Sequence, residues 1–159
     1  MSLLISFSKS KSLLTMQYSA PGKPKETIKM EAHSGGWDGY KALPVGKWLI
    51  TENPSGDRSY FALFYQDSQV NDQFLDSTKW RDGIRFGFHT VVGSHGCIMT
   101  KPAVGQSPIN ASQQWKKIQK LIRTVRARKI IKYQNNENPK IADNTVYHIS
   151  SFGIMEVIN

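Results

Sequence analysis

One short segment of the sequence holds most of the residues that could carry out covalent chemistry. Residues 87–100 contain the single cysteine of the chain, two of its four histidines and three of its twelve glycines. Thiolate is the reactive form of cysteine, and a neighbouring imidazole can accept the thiol proton and stabilise the anion. Cys97 is therefore the candidate nucleophile, and His89 is the candidate base.

The residues around Cys97 are predicted to form a β-hairpin. Residues 84–92 are rich in Ile, Phe, Thr and Val, and a Gly-Ser-His-Gly turn separates them from Cys97 and the apolar residues that follow it. If the hairpin is centred near Gly93, His89 lies opposite Cys97 with Cβ atoms about 4.5–5.5 Å apart. A slip of one residue places the two side chains on opposite faces. Gly96 has no Cβ, so the backbone can turn sharply there and leave the amides before Cys97 free to stabilise an oxyanion.

The segment Ser94-His95-Gly96-Cys97-Ile98, preceded by His89 on a predicted strand, resembles the signature of the L,D-transpeptidase catalytic domain. Members of that family are β-rich cysteine enzymes that act on the stem peptides of peptidoglycan. The resemblance implies that a tetrapeptide stem acylates Cys97 and that His89 is the base. It assigns oxyanion stabilisation to the His-Gly-Cys backbone and a supporting role to Ser94. It further implies a sandwich fold and an L,D-transpeptidase or L,D-carboxypeptidase activity.

The sequence departs from the family pattern at two points. The interval from His89 to Cys97 is shorter than usual, and Met99 stands where an arginine commonly follows Cys-Ile. The short interval is similar to that of a toxin-like branch, the L,D-transpeptidase-fold effectors delivered by type VI secretion, which lack signal peptides and attack the wall of a rival bacterium. Arg85 lies on the same predicted strand face as His89 and is the candidate substitute for the missing arginine.

Two tryptophans in predicted loops are candidate substrate contacts. The glycine-rich residues 33–40 lack the spacing of a phosphate-binding loop and are predicted to form a mobile loop with Trp37 at its edge. Residues 66–82 are polar with scattered apolar side chains, Trp80 among them, and are predicted to form a long loop over the hairpin that carries a short helix. Such a loop can be a lid or a specificity element, or simply a connection.

The remaining pattern predicts a mainly β fold of the α+β type with one long amphipathic helix. A length of 159 residues favours a single domain that spans residues 1–159. Alternating polar and apolar residues predict a hairpin over residues 4–18 and a strand over residues 27–32, and further strands are predicted at residues 59–65, 146–149 and 154–158. The family resemblance implies a proline turn and a strand over residues 42–50. The helix is predicted from Asn110 or Ser112 to about Arg126, with an apolar face formed by Trp115, Ile118, Leu121, Ile122 and Val125.

The charge of the chain supports an alternative to an enzyme. The formal net charge of +9 and the pI near 9.7 imply attraction to a polyanion such as nucleic acid, acidic lipid or an anionic envelope polymer. Much of the charge lies on the polar face of the helix from Ser112 to Arg128. The alternative is a basic polyanion- or nucleic-acid-binding module in which Cys97 is structural and dispensable. No nucleic-acid-binding signature accompanies the helix, so the enzyme hypothesis expects no nucleic-acid partner.

A metal site is a second alternative. His89, His95 and Cys97 could supply a Cys-His₂ ligand set, with His33 or His148 as the fourth ligand. No Cys-x-x-Cys or His-Glu-x-x-His spacing supports this set, and we therefore expect an enzyme without a metal or another cofactor. With a single cysteine, no intrachain disulfide can form.

The N-terminal sequence predicts where the protein acts. Residues 1–9 contain a short apolar run without a basic start or a small-residue cleavage site, which is not typical of a secretory signal. No segment is long enough to span a membrane. Since the implied substrate lies outside the inner membrane, we expect a protein made in the bacterial cytoplasm, secreted, and active in the periplasm of a target cell. Its expected partners are peptidoglycan stem peptides, a secretion apparatus and a cognate immunity protein.

Overall fold

A computed structural model describes residues 2–37, 39–90 and 93–159. Eleven strands and one helix lie in these ranges: β1 (Ser2–Ser8), β2 (Leu13–Ser19), β3 (Glu26–Ser34), β4 (Gly46–Glu52), β5 (Phe61–Tyr65), β6 (Gln73–Asp76), β7 (Lys79–Asp82), β8 (Arg85–Phe88), β9 (Ile98–Lys101), α1 (Pro108–Val125), β10 (Lys129–Tyr133) and β11 (Tyr147–Ile158). The prediction of a mainly β fold with one long helix is confirmed. Within the described residues, no helix is long and apolar enough to cross a membrane.

Nine of the strands form one sheet that closes on itself. Its order is β1-β2-β3-β9-β8-β5-β4-β11-β10, and β1 also pairs in parallel with the end of β11. One edge of β11 pairs with β4. The other edge pairs with two strands: β10 lies beside the first half of β11, and β1 lies beside its last three paired residues. The register shifts between Ser151 and Ile154, where Gly153 has a φ of 83°. This bulge bends β11 between its two partners.

The core lies inside the closed sheet because alternate residues of each strand point inward. Phe61 and Leu63 of β5, Phe86 of β8 and Ile98 of β9 are among its buried side chains. Their neighbours in sequence point to the outer face, where Ala62, Phe64 and Tyr133 form a smaller apolar cluster. Ile98 therefore points inward, and the residues on either side of it, Cys97 and Met99, point to the outer face.

Helix α1 covers the core with the apolar face that the sequence predicted. Trp115 packs edge-on against Phe61 and Phe86, with ring centroids 6.3 and 5.0 Å apart. The buried residues of α1 recur at intervals of three and four, which is the spacing of one helical face: Ala111, Trp115, Ile118 and Ile122. The helix begins two residues earlier than the first predicted cap, because Ser107 accepts a hydrogen bond from the Asn110 amide and Pro108 occupies the first turn.

The predicted hairpin around Cys97 is wrong. Strands β8 and β9 are neighbours, but they run parallel, with Phe86 opposite Ile98 and Phe88 opposite Thr100. The direction of β9 is set by its antiparallel pairing with β3, in which Ser34 lies opposite Ile98. The connection between β8 and β9 therefore returns to the beginning of β8 instead of reversing at Gly93. Val91 and Val92 of the predicted strand, like Asp38 of the predicted glycine-rich loop, lie outside the described residues.

Other local predictions have mixed outcomes. The hairpin over residues 4–18 is confirmed as β1 and β2. The short helix predicted within residues 66–82 is wrong, since β6 and β7 form a two-stranded hairpin there. The two predicted terminal strands are one continuous strand, β11, because Gly153 makes a bulge inside the strand rather than a turn between two strands.

Candidate active site

Cys97 lies between a tight turn and the first residue of β9, and it is partly exposed. Its Sγ atom accepts a hydrogen bond from the Arg85 amide at 3.3 Å and lies 3.8 Å from the carbonyl oxygen of Gly83, to which the thiol donates. Burial raises the pKa of the Cys97 thiol, and the Arg85 amide and guanidinium charge oppose this only in part. The resting side chain is therefore a thiol, and a base is needed to form the nucleophilic thiolate.

A cleft of about 560 Å³ opens beside this sulfur. It lies on the outer face of the sheet. The β8–β9 register directs Met99 and Gly87 to this face, and the same alternation places there Cys97, just before β9, and His89, just after β8. The side chains around the cleft include both candidate chemical groups, two tryptophans and the β6–β7 hairpin: Trp37, Tyr40, Lys79, Trp80, Arg81, Asp82, Gly83, His89, Ser94, His95, Cys97 and Met99. The structure thus places Cys97, His89, Ser94 and His95 around one cavity.

His89 shares this cavity with Cys97 without contacting the sulfur. The parallel register places His89 level with Lys101, four residues beyond Cys97, or about 13 Å along the strands at the usual rise per residue. The predicted cross-strand contact between His89 and Cys97 is therefore wrong. The His89 amide donates to the Thr100 carbonyl at 2.9 Å, and its buried Nδ1 atom has no hydrogen-bond partner among the described residues. Proton transfer between the two side chains has to pass through water or a bound substrate in the cleft.

The turn before Cys97 is organised by one buried hydroxyl group. The Ser94 Oγ atom accepts hydrogen bonds from the amides of Gly35 at 3.2 Å and Gly96 at 3.3 Å, and it donates to the Cys97 carbonyl at 2.8 Å. Because the Gly96 amide is used in this way, it is not available to an oxyanion. The His95 amide donates to no acceptor within the described part of the chain, and the Cys97 amide contacts its own sulfur. These two amides are the remaining candidates for an oxyanion hole.

Position 96 requires glycine for two reasons, its backbone conformation and the lack of space for a side chain. Its φ is 111°, and a Cβ atom built on it would lie 2.0 Å from Nη2 of Arg81. That guanidinium donates to the Lys41 carbonyl at 2.8 Å and the His95 carbonyl at 3.5 Å, while Nη1 contacts the Asp76 carboxylate at 2.7 Å. Arg81 therefore joins the β6–β7 hairpin to the loop that contains Lys41 and to the turn before Cys97, a role that sequence reasoning missed.

A second missed residue, Ser34, fixes the turn from the side of β3. Its hydroxyl donates to the Gly96 carbonyl at 2.7 Å and accepts the Leu43 amide at 3.0 Å. The same strand end contacts the turn through a parallel bridge between Gly36 and Ser94 and a hydrogen bond from the Ser94 amide to the Gly35 carbonyl. The sequence carried one signal for this contact, the glycine pair after Ser34, which allows two backbones to approach closely.

The exposed imidazole of His95 lies at the mouth of the cleft between two aromatic rings. Its centroid is 4.7 Å from Trp37 in an edge-on arrangement and 4.1 Å from Tyr40. Trp37 also lies directly against the turn, since a Cβ atom on Gly93 would come within 2.2 Å of its ring. Trp37 and Trp80, both predicted substrate contacts, thus line the cleft, and Trp37 also positions the turn.

Arg85 has a different place from the one predicted for it. Its guanidinium forms a paired contact with the Asp72 carboxylate, with both N···O distances at 2.9 Å, and it is not among the residues that line the cleft. The prediction that Arg85 meets a substrate carboxylate is therefore not supported. What Arg85 contributes to the site is its backbone amide, which contacts the sulfur.

His33 lies outside the cleft, and the described residues do not group it with two further metal-ligating side chains. His33 lies 3.5 Å from the Glu31 carboxylate on β3. Within residues 2–37, 39–90 and 93–159, no three His, Cys, Asp or Glu side chains are grouped as metal ligands would be.

Comparisons with known proteins add little to this geometry. No protein-family model matches the sequence, and no match is found among curated proteins. A structure of Bdellovibrio bacteriovorus Bd1075 is similar over 78% of this chain with 17% sequence identity and a TM-score of 0.42. The chain covers 56% of the length of that protein. A likeness at this level identifies neither a family nor a function.

Proposed function

We propose that this chain is a cysteine-dependent enzyme that modifies peptidoglycan, with L,D-carboxypeptidase or L,D-transpeptidase activity. The observation that carries the proposal is that Cys97 opens into a cleft shared with His89, while its sulfur accepts a backbone amide that favours the thiolate. The resemblance of residues 94–98 to the L,D-transpeptidase signature supplies the substrate class. A packing cysteine would need neither the exposed cleft nor the hydroxyl-anchored turn.

The first half of the proposed reaction forms a thioester. A proton leaves the Cys97 thiol for His89 through a chain of water molecules in the cleft, and the thiolate attacks the carbonyl carbon between an L-centre residue and a terminal D-amino acid. The amides of His95 and Cys97 stabilise the oxyanion. The C–N bond then breaks, and the D-amino acid leaves with the proton returned to its nitrogen.

The second half resolves the thioester and restores the thiol. Attack by water on the thioester carbonyl gives L,D-carboxypeptidase action, and attack by an amine gives exchange of the D-amino acid or a crosslink. In both cases the C–S bond breaks and the sulfur regains a proton. The cleft opens to solvent beside the exposed His95 ring, so an acceptor can approach from that side.

The proposal includes a biological setting, that of an antibacterial effector secreted to act in the periplasm of a target cell. It rests on the similarity of the short interval from His89 to Cys97 to that in the type VI effector branch. A secretion apparatus and an immunity protein are the partners that this setting requires.

The polyanion-binding alternative receives less support from the helix that suggested it. Two basic residues of the exposed face of α1 are held in ion pairs, Lys117 with Glu26 and Arg123 with Glu52. Arg126 is turned toward carbonyl groups rather than toward solvent. The stripe of free positive charge is thus shorter than the sequence indicated.

The test is digestion of purified disaccharide-tetrapeptide fragments, with the products read by mass spectrometry. The expected product has lost its terminal D-amino acid, or has exchanged it when another D-amino acid is added. His89→Gln should lower turnover strongly, while the matched control His33→Gln, which changes a histidine outside the cleft, should leave it near wild type. Unchanged fragments with the wild-type protein, or equal loss in both variants, would contradict the proposal.

A further inference from the structure

A second cavity of about 810 Å³ lies where the closed sheet is incomplete. Strand β1 pairs with β11 only from Ser6 to Ser8, and β10 pairs with β11 only up to Ser151. Between these two stretches, none of the described strands pairs with that edge of β11. Part of this gap forms the cavity, whose walls come from β1, β2, β4, β11, the segment that follows α1 and the first residue of β10. It shares no lining residue with the Cys97 cleft.

A guanidinium group closes the inner side of this gap. Arg126, at the end of α1, donates from Nε and Nη2 to the Leu3 carbonyl and from Nη1 to the carbonyls of Phe152 and Ile154, at 2.7 to 3.2 Å. These contacts replace hydrogen bonds that a neighbouring strand would have made. Four of the five N–H donors of the guanidinium are thereby used, and one remains on Nη2.

The charge of Arg126 has no partner of opposite sign. No carboxylate forms an ion pair with it among the described residues, and burial, with no acidic neighbour to oppose it, lowers the pKa of Arg126. Arg126 is partly buried, and the carbonyl dipoles satisfy its donors without neutralising its charge, so an anion beside it would be favourable.

The other charged residues around the cavity leave an excess of positive charge. Lys47 lies opposite Glu156 in the β4–β11 register, so these two offset one another. Lys129, exposed at the beginning of β10, lies opposite the uncharged Ser151 and lines the same cavity as Arg126. An anion seated between Arg126 and Lys129 would be attracted by both charges and would lower the excess positive charge of the cavity.

The uncharged part of the wall combines apolar side chains with the small polar side chains of Ser6, Thr15, Gln17 and Ser151. Leu4, Leu49, Phe152 and Ile154 line the cavity, and the Leu4 side chain is 63% exposed although it is large and aliphatic. Apolar walls with a few placed charges are typical of sites for ligands that have an apolar body and one charged group.

We infer that this cavity binds a free single-chain amphiphile with an anionic head group, its carboxylate or phosphate between Arg126 and Lys129 and its chain against Leu4, Leu49 and Ile154. The inference concerns a site separate from the Cys97 cleft and does not depend on the proposed peptidoglycan activity. Carboxylate and phosphate heads share the chemistry that a guanidinium recognises, and decanoate and decyl phosphate are the probes that separate them.

The test is isothermal titration of the full chain with decanoate, below its micelle-forming concentration, and with decyl phosphate, decanol and acetate. Saturable binding of one decanoate or decyl phosphate per chain, with decanol and acetate at least tenfold weaker, is the expected result. Binding of decanol as tight as that of decanoate, or no saturable binding of either anionic probe, would overturn the inference.

Three variants locate the site. Lys129→Glu should weaken binding about fivefold or more, as the removal and reversal of one exposed charge contact predicts. Lys132→Glu is its matched control on the same strand, outside the cavity lining, and should bind as wild type. Ala127→Trp should fill the cavity from an exposed position and abolish binding while the thermal midpoint stays near wild type. Equal weakening by both glutamate variants, or full binding by Ala127→Trp, would place the ligand elsewhere and overturn the inference.

Discussion

Replacing Ser94 by alanine removes the hydroxyl that holds together the turn before Cys97. The substitution deletes three hydrogen bonds and leaves the amides of Gly35 and Gly96 and the carbonyl of Cys97 without this partner. Ser94 is only 5% exposed, so water does not readily replace the hydroxyl. The change is small in volume, and its effect therefore reports on these hydrogen bonds rather than on packing.

The magnitude follows from the two buried amides. A buried polar group left without a partner costs about 1–3 kcal/mol, and partial relaxation of the turn lowers the sum for two such groups to about 2–4 kcal/mol. The same relaxation moves the His95 and Cys97 amides, so we expect turnover to fall at least about tenfold, a loss of roughly 1.4 kcal/mol in transition-state stabilisation.

The assay pairs guanidinium denaturation with peptidoglycan turnover. Ser10→Ala is the control, because Ser10 is exposed in the β1–β2 turn and should change the free energy of unfolding by no more than about 0.5 kcal/mol. A Ser94→Ala protein as stable as Ser10→Ala, with wild-type turnover, would refute the idea that this hydroxyl organises the site.

Three further predictions concern titration and biology. Burial raises the pKa of Cys97, so its alkylation by iodoacetamide should rise with pH to a midpoint above that of N-acetylcysteine amide measured in parallel. A midpoint below that of the reference compound would contradict this prediction. Burial and the neighbouring Asp67 raise the pKa of Glu137 from 4.5 to about 7. The folded chain therefore binds the Glu137 proton more tightly than the unfolded chain, and the free energy of unfolding should fall as the pH rises between these two values. Glu137→Gln should remove that fall, and an unchanged pH profile of the denaturation midpoint would speak against it. Expression with an added periplasmic signal peptide should deform or lyse a bacterium, whereas cytoplasmic expression or Cys97→Ala should not, and toxicity that survives Cys97→Ala would favour the polyanion-binding alternative.

The sequence predicted elements whose residues interact locally. The hairpin of β1 and β2, the apolar face of α1 and its approximate end all follow from patterns within a few residues. The direction of β9 relative to β8 did not follow, because the inward alternation of Phe86, Ile98 and Thr100 is the same in a parallel and an antiparallel pair. The direction of β9 is determined by its pairing with β3, which is distant in sequence.

The site shows the same division between local and distant information. The residue types of the turn, Ser94 to Cys97, are chemically informative by themselves. Arg81 and Ser34 could not be found in this way, since each acts on the turn through a contact distant in sequence; Ser34 and Gly96 are 62 positions apart. Arg85 was assigned to the substrate because its partner, Asp72, lies outside the segment in which the prediction was made.

The central claim is that the Cys97 sulfur becomes acylated by a stem peptide. The most direct measurement is the intact mass of the protein, quenched in acid shortly after mixing with tetrapeptide-stem fragments, followed by peptide mapping. The account predicts an added mass equal to the fragment minus its terminal D-amino acid, located on Cys97 and absent in Cys97→Ala. Released D-amino acid without any adduct on Cys97, at a rate that Cys97→Ala retains, would contradict it.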